Sequence, residues 1–250
     1  MKPKTRVALI VPAYNEEHNL TRLVERFRAV REQLAGLAME AELVLINDGS
    51  MDGTARVGRE NGFTVLSHPF NLGVCGALHT GFMYALQSGH DCLITIDADG
   101  QHNPEDISTM VAELRRESAD LVIGSRFLIN TGYKKNLARY TGIVLFSWIV
   151  KLLTDQTISD VTSGFRMFTR KAIEFLANHF PQDYPDAEML ILLSKSRFTI
   201  REIPVQMNPR MSGRSQHNFI TSLFYPFKNL IAIVVVLIRT FLAKKEELHV

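Results

Sequence analysis

Apolar residues along this chain fall into two alternating rhythms. Short, mostly apolar and β-prone runs occupy Val7–Val11, Ala41–Ile46, Phe63–Leu66, Cys92–Ile96 and Leu121–Ile123. Runs of this length bounded by turn residues read as buried strands. Segments of helical spacing lie between them. Leu20, Leu23, Val24, Phe27 and Val30 mark one such segment over 20–34, and another runs from Gly76 to Gln87. Pro12 is expected to stop the first strand, and Asn15 to cap the first helix. Alternating strands and helices predict an α/β fold: a mostly parallel central sheet with helices on both faces. Such sheets bind ligands outside the carboxyl ends of their strands.

Three polar loops fall at that edge: Pro12-Ala13-Tyr14-Asn15-Glu16, Asn47-Asp48-Gly49-Ser50-Met51-Asp52-Gly53-Thr54, and Asp97-Ala98-Asp99-Gly100-Gln101. The last is the most informative. As residues i and i+2 of a strand end, Asp97 and Asp99 point the same way. Two converging carboxylates repel unless a cation lies between them. Hard oxygen donors suit Mg²⁺ or Mn²⁺, and Gln101 adds a neutral oxygen. Taken alone, the triplet is equally an acidic turn, and Asp48 is more often a turn residue. Their shared edge is what favours a site. No G-x-G-x-x-G follows the first strand and no G-x-x-x-x-G-K-[ST] occurs, which disfavours a dinucleotide enzyme or a P-loop NTPase.

Composition narrows little. The chain has 250 residues, enough for a full core, and a formal net charge of +2, which gives no argument for a nucleic-acid partner. Its two cysteines, Cys75 and Cys92, suggest no disulfide framework and fit a reducing, cytoplasmic setting.

The three loops, in this order and spacing, resemble the motif series of family 2 glycosyltransferases with the GT-A fold. The resemblance implies that Pro12, Tyr14, Asn15, Glu16 and Asp48, with Asp97, hold the nucleotide of a nucleotide-diphosphate sugar. It implies that Asp97, Asp99 and Gln101 hold the divalent metal on its diphosphate. Further on, Gly124-Ser125-Arg126 and Asp160-Val161-Thr162-Ser163-Gly164-Phe165-Arg166 are similar to the polyprenyl-phosphate sugar synthases, the dolichol-phosphate mannose synthase group. Processive members carry Gln-x-x-Arg-Trp; the one Trp here, Trp148, has no such neighbours.

Joining a diphosphate donor to a phosphate acceptor gathers several negative charges, and arginine forks bind phosphate oxygens bidentately. Arg126, Arg139, Arg166, Arg210 and Arg214 are the candidates, with Ser163 beside them. The Gly-bearing basic stretch 209–215 looks like the loop that closes over the donor in relatives. Asp160, Arg126 and Arg166 are the expected catalytic group, Asp160 as base or as positioning residue. Glu188 is either a site residue or an acid at a helix N-terminus.

Two apolar segments remain, Thr141–Leu153 and Phe219–Leu242. The cleanest run of the second, Leu230–Ile238, falls short of the ~20 residues a membrane span needs. With Arg239, Lys244 and Lys245 adjacent, the end of the chain reads as apolar helices lying in a membrane interface. Packing on the core or on another subunit is the alternative. The expected division is a catalytic domain over 1–215 and a helical tail over 216–250. The expected activity is inverting, metal-dependent transfer of a hexose from a UDP- or GDP-linked sugar to a polyprenyl phosphate, at the cytoplasmic face of a membrane. Expected partners are the membrane surface and a second copy or a membrane protein. Transfer to a saccharide or protein hydroxyl, or a non-catalytic sugar-nucleotide scaffold, are the rivals.

Overall fold

The computed structural model describes residues 4–103, 106–116, 118–128, 137–154, 156–181 and 186–208. Strand β1 (Thr5–Ala13) is central, and Val7 to Val11 are all wholly buried. That explains an unbroken apolar run: both faces of the strand are covered. Alternation sorts the side chains. Ala8 and Ile10 enter one core cluster, and Val7, Leu9 and Val11 enter the other.

From β1 the chain passes through helix α1 (Glu17–Gly36), strand β2 (Met39–Asn47), helix α2 (Thr54–Glu60) and strand β3 (Thr64–Ser67). Helix α3 (Gly73–Gln87) then returns it to strand β4 (Cys92–Thr95), on the other side of β1. Helix α4 (Asp106–Arg116), strand β5 (Leu121–Ser125), helix α5 (Leu137–Thr154), strand β6 (Arg166–Thr169), helices α6 (Arg170–His179) and α7 (Ala187–Lys195), and strand β7 (Ile200–Pro204) complete the described chain. The seven strands lie in the order β3-β2-β1-β4-β6-β5-β7. All pairings are parallel except those of β6, which runs antiparallel to both β4 and β5. Helices α1 and α4 cover one face; α3, α5, α6 and α7 cover the other. The strand order reverses between β1 and β4, the point in such sheets where ligands bind beyond the carboxyl ends of the strands.

The α/β fold, mostly parallel sheet and two-sided helical cover match expectation; several details do not. Strand β1 continues through Pro12 to Ala13, paired with Ile46 and Asn47 of β2. At that level β4 has already ended, so proline lies where β1 has a ladder partner on one side only. Asn15 does not cap α1. It sits one residue ahead of the cap position at φ 55°, a conformation asparagine tolerates, and its side chain serves another loop. Asp97 and Asp99 are not strand residues either, because β4 stops at Thr95 and the chain turns through Gly100 at φ 76°. Strands β6 and β7 were not anticipated. Both cysteines are buried and neither is in a disulfide, and burial, then Asp91, pushes the Cys92 thiol up to about 12. The apolar segment 219–242 and the basic stretch 209–215 lie outside the described residues. Among the described residues no helix is long and apolar enough to cross a membrane.

Candidate active site

The loops after β1 and β2 are laced together. The amides of Asn15, Glu16 and Glu17 donate to Ser50 Oγ (2.9 Å), Thr54 Oγ1 (2.9 Å) and Asp52 Oδ2 (3.1 Å). In return, Met51 N–H donates to Asn15 Oδ1 and Gly53 N–H to Glu17 Oε2, both at 2.9 Å. The expected nucleotide residues Pro12, Tyr14 and Glu16 are half-buried along this seam, and Asn15 is exposed. Glu16 Oε2 also accepts from Asn19 Nδ2 at 2.7 Å.

Asp48 is buried, and its carboxylate organises the loop leading into α3. Oδ1 accepts from Leu72 N–H (2.8 Å) and faces His68 Nδ1 (2.7 Å); Oδ2 accepts from Gly73 N–H (2.9 Å). His68 Nε2 in turn meets Thr80 Oγ1 at 2.9 Å. Beneath it, Gly49 at φ 71° lets the two loops touch backbone to backbone: a Cβ there would lie 2.5 Å from the Phe70 carbonyl carbon. Asp48 therefore stands at the expected edge with most of its acceptor capacity spent on the loop.

The acidic turn follows β4, on the other side of β1 from Asp48. Asp99 is buried and its Oδ1 accepts from Gln101 N–H at 3.0 Å. Arg26 from α1 reaches the Gly100 carbonyl at 2.9 Å. The half-buried Gln101 accepts from Asn208 N–H at 2.8 Å through its carbonyl, which ties the turn to the segment after β7. Asp97 keeps 46% of its side-chain surface accessible, yet protein crowds it closely. Burial pushes its carboxyl up, and repulsion from Asp99 and Asp186 adds to this, opposed by His102 and Arg126. His102, absent from the expected set, is buried at 4% exposure. Its Nδ1 accepts from Asp97 N–H at 3.2 Å, and Nε2 lies 3.8 Å from Asp97 Oδ2.

The second group of expected residues comes from β5, the loop before β6, and the start of α7. Because β6 runs antiparallel, its first residue, Arg166, pairs with Thr95 and Ile123 at the carboxyl ends of β4 and β5. The preceding loop thus lies against the acidic turn. Thr95 Oγ1 donates to Gly164 O at 2.6 Å, and a Cβ on Gly164 would lie 2.9 Å from Asp97 Oδ2.

Arg126 and Asp160 form a buried fork-to-fork pair. Nε donates to Oδ2 at 2.6 Å, Nη2 to Oδ1 at 2.7 Å, and the Arg126 amide to Oδ2 at 3.0 Å. Arg126 Nη2 also donates to Thr162 Oγ1 at 2.8 Å. Asp160 has no exposed surface, and Glu202 of β7 accepts its amide at 2.9 Å. An Asp160 so placed is a counter-ion: of the two roles expected for it, base and positioning group, this geometry fits positioning. Ser163 is likewise inward-facing, donating to Gly124 O at 2.6 Å, so its hydroxyl is spent on the loop rather than offered to a phosphate. Arg166 is buried, donates to Val161 O at 2.9 Å, and lies 3.8 Å from Asp186 Oδ1. Glu188 is buried in the first turn of α7. Arg139 belongs to the first turn of α5, but its side chain, like Arg210 and Arg214, lies outside the described residues.

The edge therefore collects acids (Asp97, Asp99, Asp186) next to fixed cations (Arg126, Arg166). Among the described residues no three His, Cys, Asp or Glu side chains are already set around a cation. The Asp97–Asp99 pair still fits Mg²⁺ or Mn²⁺. It supplies hard oxygens, one half-open and repelled by its neighbours, and leaves most of the coordination shell to a ligand such as a diphosphate. His102 follows Gln101 directly and could have been read from that adjacency. Asp186 lies in the same acidic stretch as Glu188, whereas Glu202 carried no local signal, because only the fold brings it here.

Comparison with known proteins accords with this arrangement. Residues 8–176 match the Glycosyl transferase family 2 profile. A UDP-N-acetylglucosamine–dolichyl-phosphate N-acetylglucosaminyltransferase of Methanococcus voltae is 29% identical, over 80% of this chain and 84% of its own. An undecaprenyl-phosphate mannosyltransferase of Micrococcus luteus is 28% identical, over 84% of this chain and 87% of its own. Among solved structures, glucosyl-3-phosphoglycerate synthase of Mycobacterium tuberculosis, crystallised with Mn²⁺ and UDP-glucose, superposes with a TM-score of 0.61 at 18% identity, over 89% of this chain and 79% of that one. The family match spans most of the sheet and both laced loops, and the likeness in fold covers 89% of this chain. The chain belongs to glycosyl transferase family 2 and is a glycosyltransferase of the GT-A fold.

Proposed function

We propose that this glycosyltransferase moves a hexose, with inversion, from a nucleotide-diphosphate sugar to a polyprenyl phosphate. One observation carries the reading. The acidic turn suited to a metal-bound diphosphate has buried Arg126 close enough to act on the Asp97 carboxyl, and buried Arg166 at the adjoining end of β6, so cations stand beside the acids where more than one phosphate would gather. The named activities of the Methanococcus and Micrococcus relatives support a lipid-phosphate acceptor. Tyr14, Asn15, Glu16 and Asp48, with Pro12 behind them, would line the nucleoside. Asp97, Asp99 and Gln101 would hold the Mg²⁺ or Mn²⁺. When bound, that ion stabilises negative charge on the departing nucleoside diphosphate.

The protein's own residues account for the rest. The acceptor oxygen forms the new bond to the anomeric carbon as the bond to the diphosphate breaks, and the electron pair leaves on the diphosphate. A phosphate oxygen is already ionised near neutral pH, so attack needs no strong base. This agrees with an Asp160 spent on Arg126. Arg126 and Arg166, held rigid by their carbonyl, carboxylate and hydroxyl partners, supply preorganised positive charge. Arg139, Arg210 and Arg214 remain proposed acceptor or diphosphate contacts.

Gly164→Ala tests the packing beside Asp97. The new methyl would press on the carboxylate rather than on backbone, so folding should stay near native while transfer falls ~10-fold or more from a displaced ligand. Unchanged steady-state rates would refute this.

The reading also includes a membrane surface, with 1–215 as catalytic domain and 216–250 as an interfacial tail. Support comes from α5, where Val144, Trp148 and Leu152, spaced four apart, leave an exposed apolar stripe opposite buried Phe146 and Val150. Replacing all three with serine should weaken flotation with anionic liposomes at least ~10-fold. Native flotation by that variant would remove the stripe from the account.

The assay for the function itself mixes purified protein, Mn²⁺, short-chain polyprenyl phosphate and a panel of labelled UDP- and GDP-sugars. Label entering the organic phase with one donor is the expected result. Label moving only onto saccharide or protein hydroxyls would replace this reading with the hydroxyl-acceptor one, and binding without turnover with the scaffold.

A further inference from the structure

The Asp97 amide is the first N–H beyond the β1–β4 ladder: Ile96 N–H still reaches Ile10 O, and Asp97 N–H turns to His102 Nδ1. An amide removed from the ladder and partly buried gains from such an acceptor. With Nδ1 accepting, the ring proton sits on Nε2, and that nitrogen faces Asp97 Oδ2 at 3.8 Å. One side chain therefore addresses both the backbone and the carboxylate of the same residue. The ring itself is immobilised. It is stacked on Phe165 at 4.9 Å and 17°, with 4% exposure, and its backbone bridges to Met207. Phe165 is wholly buried and follows Gly164, whose backbone packs against the Asp97 carboxylate. A histidine that only filled the core would gain nothing from either nitrogen, and phenylalanine would serve as well.

We propose that His102 is a positioning residue that sets the orientation of the Asp97 carboxylate toward the divalent ion of the nucleotide. This rests on the reading of Asp97 as a metal-binding residue. Partners that orient a metal-binding side chain from behind are each worth about 10–100-fold in metal affinity.

The test measures Mn²⁺ binding by the intact chain in the presence of UDP, from the loss of the free-ion signal in electron paramagnetic resonance, without turnover. His102→Asn can still accept the Asp97 amide near the Nδ1 position but lacks the donor aimed at the carboxylate. His102→Gln carries an amide N–H out to the Nε2 position. His102→Phe keeps the stack on Phe165 and loses both nitrogens. The expected order of affinity is native, then His102→Gln close behind, with His102→Asn and His102→Phe ~10–100-fold weaker. Melting temperatures recorded on the same samples separate this from a loss of fold, and the Asn and Gln pair decides the matter should His102→Phe fail to fold. Native affinity in all three variants overturns the role of His102 while leaving Asp97 as a metal-binding residue. Native protein that binds no Mn²⁺ with UDP, like an Asp97→Asn control, overturns the reading of Asp97 as well.

Discussion

Asp160→Ala is expected to destabilise the protein by about 3–5 kcal/mol, the usual cost of stripping one partner from a buried ion pair. At ~2–4 °C per kcal/mol for a chain of this size, the melting temperature should fall by ~6–20 °C. The reason is geometric. Asp160 is wholly buried and accepts from Arg126 Nε, Nη2 and backbone N–H, so its removal strips the paired carboxylate from a guanidinium of 7% exposure. The pair itself need not stabilise the fold, because attraction between buried charges is largely offset by the loss of their hydration. The double variant Arg126→Met/Asp160→Leu should therefore recover part of the lost stability. It should not recover transfer, since the fixed positive charge beside the acidic turn is gone. Thermal denaturation of the single and double variants checks the first claim, and transfer rates the second. A double variant that regains activity would remove Arg126 from the chemistry.

Asp97→Asn should do the reverse: abolish transfer without harming the fold. If Asp97 holds the metal as proposed, losing its charged oxygen forfeits several kcal/mol of transition-state stabilisation, on the order of 10³-fold in rate. Stability should hold or rise. Burial, then repulsion from Asp99 and Asp186, raises the Asp97 carboxyl in the folded protein, so the native state holds that proton more tightly than the unfolded chain. Above the unfolded value of 3.8, ionisation of Asp97 thus opposes folding, increasingly as pH climbs through the raised folded value. The asparagine variant lacks this opposition. Its melting temperature should match or exceed that of the native protein at pH 7, and the difference should vanish near pH 3, where both states are protonated. The gain is small, because nearly half of the side chain still meets water. A variant that melts well below native protein at pH 7 would show that Asp97 supports the structure rather than straining it.

Much of the scaffold was legible in the chain because its central strands are buried on both faces and announce themselves as apolar runs. Strands β1, β2, β4 and β5 and helices α1 and α3 fall within a few residues of where the pattern puts them. The four-residue strand Arg166–Thr169 was not legible. Nothing local distinguishes it from a loop, and its antiparallel insertion between β4 and β5 is a tertiary fact. That insertion is also what brings Gly164 against Asp97. Arg126 and Asp160 could each be picked out by motif, yet not as partners, since 34 residues separate them. For Asp48 and Ser163 the residue type was legible but the direction of the side chain was not: in the fold their oxygens meet loop amides or a carbonyl.

The most direct measurement is the anomalous signal of Mn²⁺ in crystals grown with UDP. The account predicts one strong peak beside the carboxylates of Asp97 and Asp99, with the diphosphate between that ion and the laced loops after β1 and β2. A peak elsewhere, or ordered UDP that leaves both aspartates unligated, would contradict it.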